Sequence, residues 1–254
     1  MAGAARSLTV AARETTLQVG ASAMSVHVAA PDGAGPHPTV LLAHHRSGVD
    51  EFTRDVAARM ASIGILAAAP NFYHRRPKGE DPVASMKELK DGELVDDINA
   101  TVRHLLSLPS VKRDAVGIVG HCLGGRTAYL GLVWNPVFKA AVILYHGNIF
   151  ESRGESMPAP FDLTSNIHCP VIGFFGNDDH NPSPEMVRRL SREFARLGIR
   201  HIFHRYDGAG HAFQDHTAAN NYREAAAKDA WPKMLAFLRL ALCRDDVFAA
   251  PPAG

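Results

Sequence analysis

A lone thiol framed by glycines, Gly120-His121-Cys122-Leu123-Gly124, constrains this chain more than any other stretch of it. It follows the apolar run Ala115 to Val119 and precedes a second apolar stretch, Arg126 to Val133, so the local order reads buried strand, sharp turn, helix. A turn that tight leaves no room for side chains at its flanks, and glycine is the residue that fits there. The cysteine is then held on a strained turn at the start of a helix. The positive end of that helix favours a thiolate over the ordinary free thiol, whose pKa is about 8.5. Cys169 and Cys243 have no such frame and read as buried structural cysteines.

The segments around this turn repeat its alternation. Two strands, Thr15 to Val19 and Met24 to Ala29, precede the turn-rich Pro31-Asp32-Gly33-Ala34-Gly35-Pro36 and suggest an antiparallel edge hairpin. Short apolar runs then alternate with helical stretches: strand Thr39 to Ala43, helix Glu51 to Ile63, strand Ile65 to Ala69, and helix Leu94 to Leu106. Beyond the cysteine come strands Ala140 to Tyr145, Val171 to Phe175 and Arg200 to Tyr206, with helices Glu185 to Leu197 and Tyr222 to Leu242. The pattern predicts a mostly parallel sheet at least about seven strands wide, crossed by helices. Asn71 to Lys90, with Pro77, Gly79 and Pro82 among charged groups, reads as a loop or short cap over the sheet edge.

The chain of 254 residues, 46% of them apolar, is expected to form a single domain over 1–254. The 14 N-terminal residues and the tail after 245 are expected to be peripheral, with Ala249 to Gly254 disordered. Lysine plus arginine against aspartate plus glutamate is 27 to 26, which leaves no electrostatic footprint for nucleic acid or an anionic membrane. A small-molecule partner is the expectation. Three widely spaced cysteines make no disulfide framework, and no apolar run reads as a signal peptide or a membrane span, so a cytoplasmic protein, monomeric or homodimeric, is expected. His44-His45 and His201-Ile202-Phe203-His204 lack the spacing of a metal site, so no metal or cofactor is expected.

A thiol on such a turn needs a base to take its proton, and the base needs an acceptor to fix its tautomer. Candidates stand just past two later strand ends. Gly176-Asn177-Asp178-Asp179-His180 follows the apolar run Val171 to Phe175, and Asp207-Gly208-Ala209-Gly210-His211-Ala212-Phe213 follows the run ending at Tyr206. The order nucleophile, acid, histidine is that of α/β hydrolases. Among fourteen histidines, His211 stands out for its glycine-rich approach, while His168, His201 and His216 read as surface or packing residues. Asp178 and Asp179 compete for the acid role, and the loser serves as a turn or capping residue.

With these loops placed, the chain resembles the dienelactone hydrolase family, a cysteine-using branch of the α/β-hydrolase fold, over roughly residues 15 to 243. The resemblance rests on Gly120-His121-Cys122-Leu123-Gly124-Gly125, Phe175-Gly176-Asn177-Asp178-Asp179-His180 and Gly208-Ala209-Gly210-His211-Ala212-Phe213. Pro70-Asn71-Phe72-Tyr73 and Gly48-Val49 support it. It implies the α/β-hydrolase fold, with a mostly parallel twisted sheet of about seven to eight strands and helices on both faces. It implies Cys122, Asp179 and His211 as the catalytic residues, with oxyanion-binding N–H groups at Leu123 and Arg46. Two departures bear on substrate. The family glutamate near the cysteine reads His45, and the family arginine that helps hold a substrate carboxylate reads Asp215. An anion in place of a clamping cation repels a carboxylate, and Arg46, Arg75 and Arg76 are the alternative cations. Tyr73, Tyr145 and His146, at predicted strand ends, are candidate pocket walls beside His45. His45 is also a candidate for holding more thiolate in the resting enzyme.

The expected activity is hydrolysis of activated carboxylic esters or lactones through a thioester. A thiolate leaves a tetrahedral intermediate more readily than an ordinary alkoxide does, so the leaving group must be stabilised, as in an enol lactone or aryl ester. Two alternatives stand beside it: a carboxylesterase redirected to neutral small esters, and a non-hydrolytic, redox-responsive binding module with Cys122 as its oxidisable switch. The acid and base loops argue against the last.

Overall fold

The computed structural model describes residues 10–77, 79–154 and 157–243. Their framework is an eight-stranded sheet in the order β1-β2-β4-β3-β5-β6-β7-β8. The strands are β1 Val10–Val19, β2 Ser22–Pro31, β3 His37–Ala43, β4 Leu66–Pro70, β5 Val111–His121, β6 Ala140–Leu144, β7 Val171–Gly176 and β8 His201–Tyr206. The first two pair antiparallel, and β2 runs antiparallel to β4. Every later pairing is parallel. This is the α/β-hydrolase architecture that the alternating pattern and the resemblance implied.

The burial patterns explain the order. β4 and β6 are buried at every position and lie inside the sheet, as expected of strands covered on both faces. β1 is largely exposed and sits at the edge. Among the described residues the six α-helices are α1 Glu51–Ala61, α2 Pro82–Lys87, α3 Asp91–Ser107, α4 Leu123–Trp134, α5 Pro184–Arg196 and α6 Glu224–Cys243. One core cluster joins Phe52, Val56 and Met60 of α1 to Met234 and Leu238 of α6. A second, on the opposite sheet face, gathers Leu94 and Ile98 of α3, Leu130 of α4, and Val187 and Leu190 of α5. Cys122 touches both clusters, at the crest of the sheet where the two layers meet.

Several boundaries differ from the sequence reading. Residues Val10 to Glu14, expected to be peripheral, belong to β1 and pair with β2. The segment 71–90 contains a real helix, α2, started by the Asp81 side chain accepting from the Ala84 N–H. A 3₁₀ turn at Pro160–Asn166 carried too weak a period to be legible. The tail Ala249 to Gly254 lies outside the described residues. Cys243 is exposed rather than buried, because α6 ends where it leaves the core, whereas Cys169 is buried.

Candidate active site

The turn at the end of β5 has the geometry its glycines require. Cys122 adopts φ 56°, ψ −120°, a strained conformation for any residue with a Cβ. A Cβ on Gly120 would stand 1.9 Å from the Gly124 carbonyl oxygen, and one on Gly124 would stand 2.0 Å from that of Ala43. Both contacts are with backbone, which cannot step aside. The two glycines therefore let α4 start directly against β3 and β5, with Cys122 as its N-cap residue.

His211 and Asp179 reach the thiol from the loops after β8 and β7. His211 Nδ1 is 2.8 Å from Asp179 Oδ2, and Asp179 Oδ1 accepts the Asn181 N–H at 2.9 Å. Asp179, 5% exposed, is thus the aspartate bonded to the histidine. The competing Asp178 is exposed, and its backbone N–H bonds the Ala209 carbonyl. The Asn221 side chain donates to the His211 carbonyl at 2.9 Å and steadies the turn.

His211 and the backbone N–H groups of Leu123 and Arg46 are the groups that stabilise negative charge on the Cys122 sulfur. Burial alone would raise the thiol pKa, but His211 and those N–H groups overcome it and lower the pKa below that of a free cysteine. Burial alone would likewise depress His211, whereas its bonds to Asp179 and Cys122, with their negative charge, raise it well above the ordinary imidazole range. Both shifts favour a resting thiolate–imidazolium pair. Alkylation of Cys122 by iodoacetamide, followed peptide by peptide, is therefore expected to persist below the pH range of a free thiol. In Asp179→Asn the imidazolium loses its counter-charge, and the profile is expected to move to higher pH. An unmoved profile would mean that Asp179 does not tune the pair.

The other candidates fall on both sides of the site. The Tyr73 hydroxyl donates to the Arg46 carbonyl at 2.8 Å and so braces the loop after β3. Tyr145 and His146, candidates for pocket walls, are 1% and 0% exposed. They lie behind the site, because the chain turns inward after β6 at Tyr145, whose φ is 32°. The Tyr145 ring packs edge-on against His211 and Phe213. Arg75 and Arg76, offered as alternative cations, are already neutralised by Asp97 at 2.8 Å and Glu93 at 2.6 Å.

His45 turns both ring nitrogens to carboxylates. Nε2 is 2.8 Å from Asp50 Oδ2, and Nδ1 is 3.5 Å from Asp215 Oδ2. The two departures from the family pattern thus touch each other. Asp50 also caps α1 by accepting the Thr53 N–H, so the loop after β3 is fixed to the helix that follows it. Sequence reasoning missed a buried pair beneath the site. Arg126 of α4 bonds Asp91 with both ends of its fork, at 2.5 and 2.9 Å, and donates to the carbonyls of Asn148 and Glu151. A charged residue inside an apolar helix was its only signal. Among the described residues, no cluster of three metal-ligating side chains occurs, and no helix is long and apolar enough to cross a membrane.

Known proteins resemble this chain along most of its length. A model of the dienelactone hydrolase family matches residues 24–242. A Synechocystis protein named for carboxymethylenebutenolidase activity is 31% identical over 218 residues, which span 82% of this chain and 88% of the relative. A Bradyrhizobium protein named for 2-oxo-3-(5-oxofuran-2-ylidene)propanoate lactonase activity is 27% identical over 225 residues, 85% of this chain and 89% of the relative. A Klebsiella pneumoniae structure described as a dienelactone hydrolase superposes with a TM-score of 0.82 at 29% identity, over 91% of this chain and 98% of that one. With this fold, and with so much of its length matched, the chain belongs to the dienelactone hydrolase family and is a carboxylic ester hydrolase.

Proposed function

We propose that this hydrolase cleaves activated esters or lactones through a thioester on Cys122, with His211 as base and acid and Asp179 as its orienting partner. The observation that carries the reading is the single cluster of Cys122, His211, Asp179 and two inward N–H groups. The thiolate attacks the acyl carbon, the C–S bond forms, and the carbonyl electrons move to oxygen beside the N–H groups of Leu123 and Arg46. One such donor is worth about 2.7–4 kcal/mol in the transition state. Collapse breaks the bond to the leaving oxygen, which takes the proton carried by His211. Water then gives a proton to His211 and attacks the thioester, and the C–S bond breaks to free the acid and restore the thiolate.

Asp215 favours a second form of this reading, in which the preferred substrate is neutral. It lies beside His45 where a family arginine would hold a carboxylate, and Arg75 and Arg76 are already paired. Steady-state hydrolysis of a dienelactone carboxylate beside a neutral aryl ester tests both. Cys122-dependent turnover favouring the neutral ester about tenfold or more in kcat/KM is the expected result, a preference of the size a single unmatched charge gives. A strong preference for the dienelactone would sink the neutral form, and turnover indifferent to Cys122→Ala would sink the mechanism.

A further inference from the structure

The elbow follows β5 in the middle of the sheet and the base turn follows the edge strand β8, with β6 and β7 between them. Yet they are joined directly by one buried hydrogen bond. His121, the residue before the thiol, places Nε2 2.9 Å from Oε1 of Gln214, three residues after His211. The two partners are 93 positions apart and 2% and 0% exposed. An amide oxygen accepts, so His121 Nε2 carries the proton. Burial lowers the His121 pKa to about 4, outweighing the bond to Gln214, so the imidazole stays a neutral donor across the working range.

We infer that His121 and Gln214 are positioning residues that hold the base turn in register with the elbow, so that His211 meets the Cys122 sulfur at bonding distance. Three features of the structure make the bond a register device. Gln214 lies in the turn that carries His211, a turn that passes through Ala212 at φ 60° and closes with the Asp215 N–H on the Ala212 carbonyl. Holding the amide therefore holds the turn. The Gln214 side-chain nitrogen has no hydrogen-bond partner in the protein, so its oxygen, bonded to His121, is what anchors the amide. The His121 ring itself is wedged by Phe52 at 5.0 Å, Tyr145 at 6.0 Å and Trp231 at 6.4 Å, between ring centroids. It cannot follow a turn that drifts.

Asp215, the next residue, faces His45 at 3.5 Å. The same turn is thereby tied to the loop that carries the Arg46 N–H. A displacement of about 1 Å in such a constellation costs on the order of a hundredfold in rate. Loss of one tie among the several that hold the turn is expected to cost less than that, about tenfold in kcat.

The inference rests on the proposed pairing of Cys122 with His211, and the test keeps the two apart. The variants are Gln214→Leu, His121→Phe, the double variant carrying both, and Cys122→Ala, each assayed for kcat and KM on an aryl ester, thermal midpoint, and alkylation of Cys122 against pH where the thiol remains. Each single variant strands a buried polar partner and is expected to lose stability as well as kcat. In the double variant both partners are apolar, so the midpoint is expected to recover while kcat stays about tenfold down with KM little changed. Its alkylation profile is expected to remain shifted toward that of a free thiol. A double variant with wild-type kcat and profile would overturn the inference and leave the bond a packing detail. Undiminished activity in Cys122→Ala would instead overturn the pairing on which it rests.

Discussion

Replacing Cys122 with alanine is expected to lower kcat for an activated ester by at least about a thousandfold, because an oxyanion site and a base without a nucleophile retain only a small part of a triad's acceleration. A second substitution at the same position separates chemistry from strain. Cys122 sits at φ 56°, ψ −120°, a conformation glycine adopts freely and other residues do not. Alanine keeps the strain, and glycine releases it. Cys122→Gly should therefore be as inactive as Cys122→Ala but more stable by about 1–3 kcal/mol. Urea unfolding of the two variants measures the difference. Equal stabilities would mean that the turn stores no strain at this residue.

Arg126→Met is expected to destabilise the fold by about 3–5 kcal/mol, the usual consequence of leaving one member of a buried ion pair without its partner. Arg126 and Asp91 are both 0% exposed. Asp91 would keep the Arg153 N–H at 2.8 Å but lose both ends of the guanidinium fork. The carbonyls of Asn148 and Glu151 would lose their donor as well. A protein of this kind has only about 5–15 kcal/mol to lose, so the variant should unfold well below the wild-type midpoint. Replacing Asp91 with leucine in the same chain removes the stranded charge and should recover part of the loss. A double variant no more stable than Arg126→Met would show that the fork acts mainly through the loop carbonyls. The pair matters to the site because α4 begins at the thiol. The Arg126 N–H bonds the Cys122 carbonyl, so the side chain that ties α3 to α4 also steadies the elbow.

Charge placement ties these effects together. The fold buries an unusual set of polar groups around one turn: His44, His45, His121, His146, Asp179, Gln214 and Asp215 are all buried. His44 shows the structural use of such a group. Its Nδ1 bonds the His45 carbonyl at 2.7 Å and its Nε2 accepts the Phe72 N–H at 3.1 Å, which binds the loop after β3 to the loop after β4. Burial lowers its pKa to about 4, so it does this as a neutral ring.

The sequence by itself determined what depends on neighbours along the chain. Apolar runs of strand length alternating with amphipathic stretches imply a parallel sheet with crossover helices, since a strand buried on both faces must be apolar throughout. Gly120 and Gly124 marked the elbow because a tight strand-to-helix turn excludes any Cβ, a purely local constraint. The loops holding Asp179 and His211 were legible for a similarly local reason, each following a predicted strand and carrying glycine and other turn residues. The tertiary structure alone decided which charges meet. Arg75 and Arg76 look like free cations in a loop until α3 brings Asp97 and Glu93 against them. Tyr145 and His146 look like pocket walls until the backbone after β6 turns them inward. The pairs Arg126 with Asp91, His45 with Asp215 and His121 with Gln214 join residues far apart in sequence. No local period records such a pairing, because its partners become neighbours only when the crossovers set strand order, and burial then makes each hydrogen bond obligatory.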